Sequence, residues 1–456
     1  MKINRLIFRE YDIRGVVGKD IDNNFAYFLG RAIGTYLQKE QAEKVVVGGD
    51  NRESTPAYKE NLIQGLIDSG KIVTDIGITT TPVLYFARKT GNFDAAVVVT
   101  ASHNPPLFNG FKIVIGEKSL YGKQILRLAD IMESEDFVSG NGKKEQKDFE
   151  PDYISFMKER FSFKKQWRIG LDTGNGIVGP LMSKIFNALK ISYHGLYLES
   201  DGTFPHHMPD PAVAENLQDL IGIVKKEKLD AGFALDADGD RFAAITEDGK
   251  ILWGDQLLII FSKDILKKKS GSKIIFDVKC TKALEDSIKK NGGTPIMWKT
   301  GHSLIEDKMY EESSPLAGEL SGHLYFADEY FGYDDGTYTA LRLLRIMDET
   351  GLTLNQLLKD IKQYYSSPEI RIEVADEKKF HIVENLKRFY RDKYPISDID
   401  GVKVYFTDGW ALVRASNTQP ALVVRVEGYT ENSLEKIEPE FIRTVKGFMR
   451  WSPKTG

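Results

Sequence analysis

Three times along the chain an apolar run reaches an aspartate, crosses a polar loop, enters a stretch of helical period and returns to extended chain. KVVVGGD ends at Asp50, WRIGLD at Asp172 and KIIFD at Asp277. Each is a βαβ unit by its change of period, and such units predict parallel strand pairing with helices on the sheet faces. Each unit is followed by another strand that ends in a polar cluster. These are DAAVVVTASHNP from Asp94, DAGFALDADGDR from Asp230 and SPLAGELSGHLYF from Ser314. Open α/β sheets place ligands at the carboxyl ends of their strands. A threefold repeat would therefore bring a serine-histidine loop, an aspartate loop and a glutamate-serine-histidine loop to one cleft. The alternative is three α/β units in unrelated order.

QYYSSPEIRIEV, around Ser366 to Pro368, closes the third unit, and the repeat breaks there. A helical stretch near EKKFHIVENLKRFYRDKY, strands near GVKVYFTDGWALVRAS and ALVVRVEGYT, and a closing helix give α+β order. The expected fold is three similar α/β domains with mixed sheets plus a smaller α+β C-terminal domain around a central cleft. The expected domains are 1–147, 148–252, 253–366 and 367–456. SGNGKKEQKDFEPDY, from Ser139, reads as the first linker, and the Asp248-Gly249 turn closes the second unit.

A chain of 456 residues has room for about three or four domains. A hydrophobic share of 41% and a formal charge of -4 fit an ordinary soluble protein and give no support to nucleic-acid or membrane binding. The single cysteine, Cys280, excludes an intramolecular disulfide framework. No apolar run approaches a membrane span and the N-terminus shows no signal-peptide pattern. A cytoplasmic protein is expected.

The chemistry sits in the loops. DADGDR sets Asp236, Asp238 and Asp240 at alternate positions, where mutual repulsion calls for a hard divalent cation. An EF-hand is the competitor, with Glu247 at the twelfth position. Arg241 at the sixth, where glycine is needed, and strand-like flanks argue against it. Gly174, Gly176 and Gly179 spell a dinucleotide fingerprint, with Glu199 and Asp201 about 20 residues on. A nicotinamide dehydrogenase is thus a rival to a tight strand-to-helix turn. Ser102, in TASHNPP, lies in no nucleophile elbow. His103 and Lys112 are basic neighbours, His103 serving either proton transfer or loop structure. RASNTQP groups Arg414, Ser416, Asn417 and Thr418, the inventory of a phosphate cradle or of a turn before a strand.

Seven short motifs now stand in order: FREYDIRG, TASHNPP, DADGDR, DVKCT, KTGHS, GELSGH and RASNTQP. Together they resemble the bacterial phosphomannomutase/phosphoglucomutase group of the α-D-phosphohexomutase family over the whole chain. The resemblance implies an isomerase that interconverts hexose 6-phosphate and hexose 1-phosphate of mannose or glucose. It implies that Ser102 carries a phosphoryl group and completes a Mg²⁺ shell with Asp236, Asp238 and Asp240. Transfer would form a hexose 1,6-bisphosphate that turns end for end in the cleft. Arg414, Ser416, Asn417 and Thr418 would hold the idle phosphate, and Glu319 and Ser321 the sugar hydroxyls. Tyr11, His103, Lys279 and His302 would add substrate contacts. Arg14, Lys112, Arg241 and His323 would do the charge and proton work. The implied partners are small sugar phosphates, with no nucleic acid or membrane, and a monomer is expected. DADGDR departs from the commoner DGDGDR, and Leu320 replaces a frequent methionine. GELSGH is closer to the mannose/glucose type than to amino-sugar mutases, where GEQSGH is frequent. The alternatives are an amino-sugar phosphomutase, an NAD(P)-dependent dehydrogenase, or a non-catalytic sugar-phosphate or calcium binder. Reorientation of a bisphosphate predicts that the fourth domain swings.

Overall fold

The computed structural model describes residues 3–416 and 420–450. Its first three sheets repeat one topology. In the first, Lys44–Gly49 lies between Ile72–Ile78 and Ala95–Val99, both parallel to it, and Phe108–Ile115 runs antiparallel beyond Ala95–Val99. In the second, Arg168–Asp172 lies between Ser192–Leu196 and Ala231–Leu235, with Phe242–Ile245 antiparallel outside. In the third, Lys273–Asp277 lies between Thr294–Trp298 and Leu316–Gly318, with Leu324–Phe326 antiparallel outside. The central strands read as continuous apolar runs because both of their faces are buried. Ala95–Val99 and Ala231–Leu235 are buried at every position. The fourth sheet, built on Gly409–Ala415 and Ala421–Gly428, is antiparallel.

Two expectations at the boundaries change. The polar stretch after Ser139 is no free linker: Lys143–Gln146 pairs in parallel with Ile72–Ile78 as an edge strand. All four residues are exposed, so backbone hydrogen bonds and the ion pairs of Lys144 with Glu60 and Asp75 recruit them, and no apolar pattern marks the strand. Tyr365–Ser366 pairs with Gly428 and Glu427 of the last sheet instead of closing the third unit.

One hydrophobic core runs through the first three units, and the first has a further core of its own. Phe86 of the first packs its ring on Tyr153 of the second and Phe331 of the third. The last unit has a separate core and meets the third through a small cluster of Val278, Trp410 and Leu412. Polar contacts reinforce that seam: among them, Lys282 N–H donates to Glu427 Oε1 (2.9 Å), Thr300 N–H to Asp400 Oδ2 (3.0 Å) and Lys403 Nζ to Val278 O (2.9 Å). No helix among the described residues is long and apolar enough to cross a membrane.

Candidate active site

Ser102 stands just past the strand Ala95–Val99. Its N–H donates to Thr100 Oγ1 (2.9 Å), and Thr100 Oγ1 donates to Asp50 Oδ2 (2.7 Å). This short side-chain turn holds Ser102 at φ 50°, a left-handed conformation that costs a non-glycine residue about 1–2 kcal/mol. The result is a hydroxyl aimed out of the first sheet at the second: Ser102 Oγ donates to Asp236 Oδ2 at 2.7 Å. His103 Nδ1 lies 3.1 Å from Ser102 Oγ.

Asp236, Asp238 and Asp240 follow the strand Ala231–Leu235, with Gly239 (φ 81°) making the reversal between them. Ligand oxygens of all three lie within 4.8 Å of one another, and the three residues are buried. Lys112 Nζ donates to Asp238 Oδ2 (2.7 Å) and to Asp240. Burial opposes its charge, but the two carboxylates prevail and raise its pKa well above the lysine range. Lys112 is therefore a fixed cation, suited to balancing charge and not to accepting a proton. Burial and the neighbouring Asp240 and Asp238 push the Asp236 carboxyl up. Burial works against Asp240 too, yet Lys112 holds it below the carboxylate range. Asp238 Oδ1 and Asp240 Oδ1 are buried with no hydrogen-bond partner among the described residues. Two orphaned anionic oxygens beside a third carboxylate fit a divalent cation with oxygen ligands.

The glycine fingerprint has a packing role. A Cβ on Gly176 would lie 2.5 Å from Ala237 Cα, and one on Gly179 2.2 Å from Leu198 O. The turn is bare so that the aspartate loop can rest on it, and the space a pyrophosphate would need is filled by protein.

A cleft of about 1700 Å³ opens in front of Ser102. Tyr11, Arg14, His103 and Lys112 line its first-domain wall, and Arg241 its second. Lys279, His302, Glu319, Ser321 and His323 line the third, and Arg414 and Ser416 the fourth. Asn417 and Thr418 lie outside the described residues. Arg14 donates to Asn104 Oδ1 (2.8 Å) and pairs with Asp12. Arg241 donates through Nε to His323 Nε2 (2.9 Å), so His323 Nδ1, 2.7 Å from Asp334 Oδ2, carries the ring proton. Burial depresses His323 to about 4 and holds His103 and His302 well below the imidazole range. All three rings are neutral at pH 7. Tyr11 sets its ring edge against His302, 5.0 Å between centroids. Glu319 accepts from Gly301 N–H at 2.5 Å. Lys279 Nζ lies 3.3 Å from Glu369 and 3.6 Å from Asp277. Arg414 donates through Nε to Asp400 Oδ2 (2.8 Å), and its Nη2 has no hydrogen-bond partner among the described residues.

The sequence does not single out Arg52, which donates to Ser102 O at 2.6 Å, or Asp334 and Asp400, which hold His323 and Arg414. Arg52 lies in DNREST, at the strand end equivalent to DTGNG and DVKCT, and that equivalence was the available signal. Asp334 and Asp400 stand in no repeated position.

Family models described as phosphoglucomutase/phosphomannomutase match the chain in order. Alpha/beta/alpha domain I covers residues 5–139, domain II 151–249, domain III 253–365 and the C-terminal domain 369–444. A phosphomannomutase/phosphoglucomutase of Pseudomonas aeruginosa is 45% identical over 96% of this chain and 95% of its own length. A phosphoglucomutase of Neisseria gonorrhoeae is 40% identical over 96% of both. A crystal structure of a phosphoglucomutase/phosphomannomutase family protein from Burkholderia thailandensis superposes with a TM-score of 0.92 at 38% identity, covering 99% of each chain.

Proposed function

The chain belongs to the phosphoglucomutase/phosphomannomutase family, and we propose that Ser102 is the group through which it moves phosphate. It is a phosphohexomutase, an isomerase that interconverts hexose 6-phosphate and hexose 1-phosphate. As proposed, mannose and glucose are its sugars, and it works as a cytoplasmic monomer without nucleic-acid or membrane partners. Its domains follow the limits 1–147, 148–252, 253–366 and 367–456, with the last boundary drawn back a residue or two by the pairing of Tyr365–Ser366.

Ser102 enters the cycle as a phosphoserine. A hexose 6-phosphate binds with its phosphate on Arg414 and Ser416, together with Asn417 and Thr418, and its sugar hydroxyls on Glu319 and Ser321. Tyr11, Lys279 and His302 close around the ring. The free 1-hydroxyl attacks phosphorus and the bond to Ser102 Oγ breaks, leaving hexose 1,6-bisphosphate. Neutral His103, whose Nδ1 lies 3.1 Å from Ser102 Oγ, takes the hydroxyl proton and passes it to the serine oxygen as the bond to phosphorus breaks. His323, held by Arg241 at Nε2 and by Asp334 at Nδ1, has no nitrogen free for that proton and orients Arg241 instead. The bisphosphate turns, its 6-phosphoryl group passes to Ser102, and hexose 1-phosphate departs. Arg14 and Arg241 flank the transferring group and, with Lys112, meet its charge. Asp236, Asp238, Asp240 and Ser102 would hold Mg²⁺, which when bound supplies Lewis-acid polarisation and charge neutralisation. A cleft larger than the roughly 300–1,000 Å³ of ordinary ligand sites leaves room for the turn.

The observation that carries this reading is Ser102 Oγ at 2.7 Å from Asp236 across the first two domains, facing a cleft whose far wall bears Arg414. Intact-mass measurement should show a phosphate-sized increment in the wild type that is absent from Ser102→Ala. Wild-type mutase activity in Ser102→Ala would refute the phosphoserine.

A further inference from the structure

Arg52 is buried completely and does not line the cleft. A guanidinium has five N–H donors, and all five are spent. Nε donates to Asp50 Oδ2 (3.1 Å), Nη1 to Pro105 O (2.7 Å) and Phe108 O (2.9 Å), and Nη2 to Ser102 O and Asn104 O (both 2.6 Å). Four of the five bonds thus grip one loop, and one of them grips the carbonyl of Ser102 itself.

The grip has a rigid base. Asp50 also accepts from Arg52 N–H (3.1 Å), Thr55 Oγ1 (2.6 Å) and Thr100 Oγ1 (2.7 Å). The second domain covers it: the Phe204 ring lies 5.2 Å from the guanidinium carbon, and Asn51 Nδ2 donates to Asn175 O at 2.9 Å. Ser102 sits in the left-handed region at φ 50°, where a loop free to relax would not leave it.

We infer that Arg52 is a positioning residue that fixes the carbonyl side of the Ser102 loop and so holds Oγ in line for phosphoryl transfer. The inference rests on Ser102 as the phosphate carrier. A lysine cannot replace this fork, because its three donors radiate from one nitrogen.

The test uses the full-length enzyme with Mg²⁺, comparing wild type, Arg52→Ala and Arg52→Lys. For Arg52→Ala, kcat should fall about 100-fold, the scale of a misplacement near 1 Å, while KM for hexose phosphate stays within about twofold. Phosphate occupancy of Ser102 after incubation with hexose 1,6-bisphosphate should fall with kcat. Guanidinium far below denaturing concentration should restore part of the kcat lost in Arg52→Ala, and Arg52→Lys should remain slow. Wild-type kcat and phosphate in either variant would overturn the inference, as would a loss confined to KM. So would loss of cooperative melting in both variants without recovery in guanidinium, since Arg52 would then serve the fold as a whole. A wild type without phosphate on Ser102 refutes the phosphoserine, and the inference with it. A phosphorylated wild type with unaffected variants refutes the inference alone.

Discussion

Glu306 offers a measure of how the first and third domains are joined. It lies on the helix His302–Glu311, which also carries His302, and its Oε2 accepts from Ser119 Oγ of the first sheet at 2.8 Å. Burial, with Asp334 nearby, raises its carboxyl from 4.5 to about 7, against the opposing bond from Ser119. The folded protein therefore binds this proton more tightly than the unfolded chain does. The stability it confers is complete below about pH 4.5 and is lost as pH rises through 7. At about 1.4 kcal/mol for each tenfold change, the loss is about 3 kcal/mol. Glu306→Gln keeps an acceptor for Ser119 and cannot ionise. Urea unfolding of both proteins from pH 4.5 to 8 is the assay, read as the difference between them so that other carboxylates cancel. The two should coincide at the acid end, and the variant should be about 3 kcal/mol more stable at pH 8. A gap that stays constant across the range, or a wild type that gains on the variant as pH rises, would refute the reasoning.

Lys112→Met should lower the stability of the metal-free protein by about 3–5 kcal/mol, the cost of stripping one partner from buried charges. Mg²⁺ should recover more stability in the variant than in wild type, as paired melts would show. Gly176→Ala should push the Ala237 backbone and with it the aspartate loop, weakening Mg²⁺ about tenfold by calorimetry; unchanged affinity would disconnect the turn from the metal site. NAD(P) titrated into the wild type should give no binding heat, since Ala237 and Leu198 O fill the space above the glycines. Added hexose 1,6-bisphosphate should compact the scattering profile as the fourth domain swings in over its small seam with the third; an unaltered profile would count against the swing.

Much of this site was legible before any coordinates. A strand buried on both faces must be apolar throughout, so AAVVV and AGFAL announce themselves, and the polar residues that end them stand out. The period changes mark the helices, and the three-part repeat predicts that the loops face one cleft. Edge pairing was not legible, because KKEQ is exposed and joins the first sheet by backbone bonds and the Lys144 ion pairs, with no apolar face.

What the sequence by itself determined was local: which residues form each element, which loops carry chemistry, and that three neighbouring carboxylates need positive charge. Which groups answer that need was decided only in three dimensions. Ser102 meets Asp236 across 134 residues and Lys112 meets Asp238 across 126. Arg52 spends four donors on carbonyls from 50 to 56 residues away. Such bonds leave no periodicity, because each depends on where two separately folded segments come to rest. Burial opposes charge on His323 and on Lys112 alike, and only the tertiary neighbours decide that the imidazole is neutral while the lysine between two carboxylates stays charged.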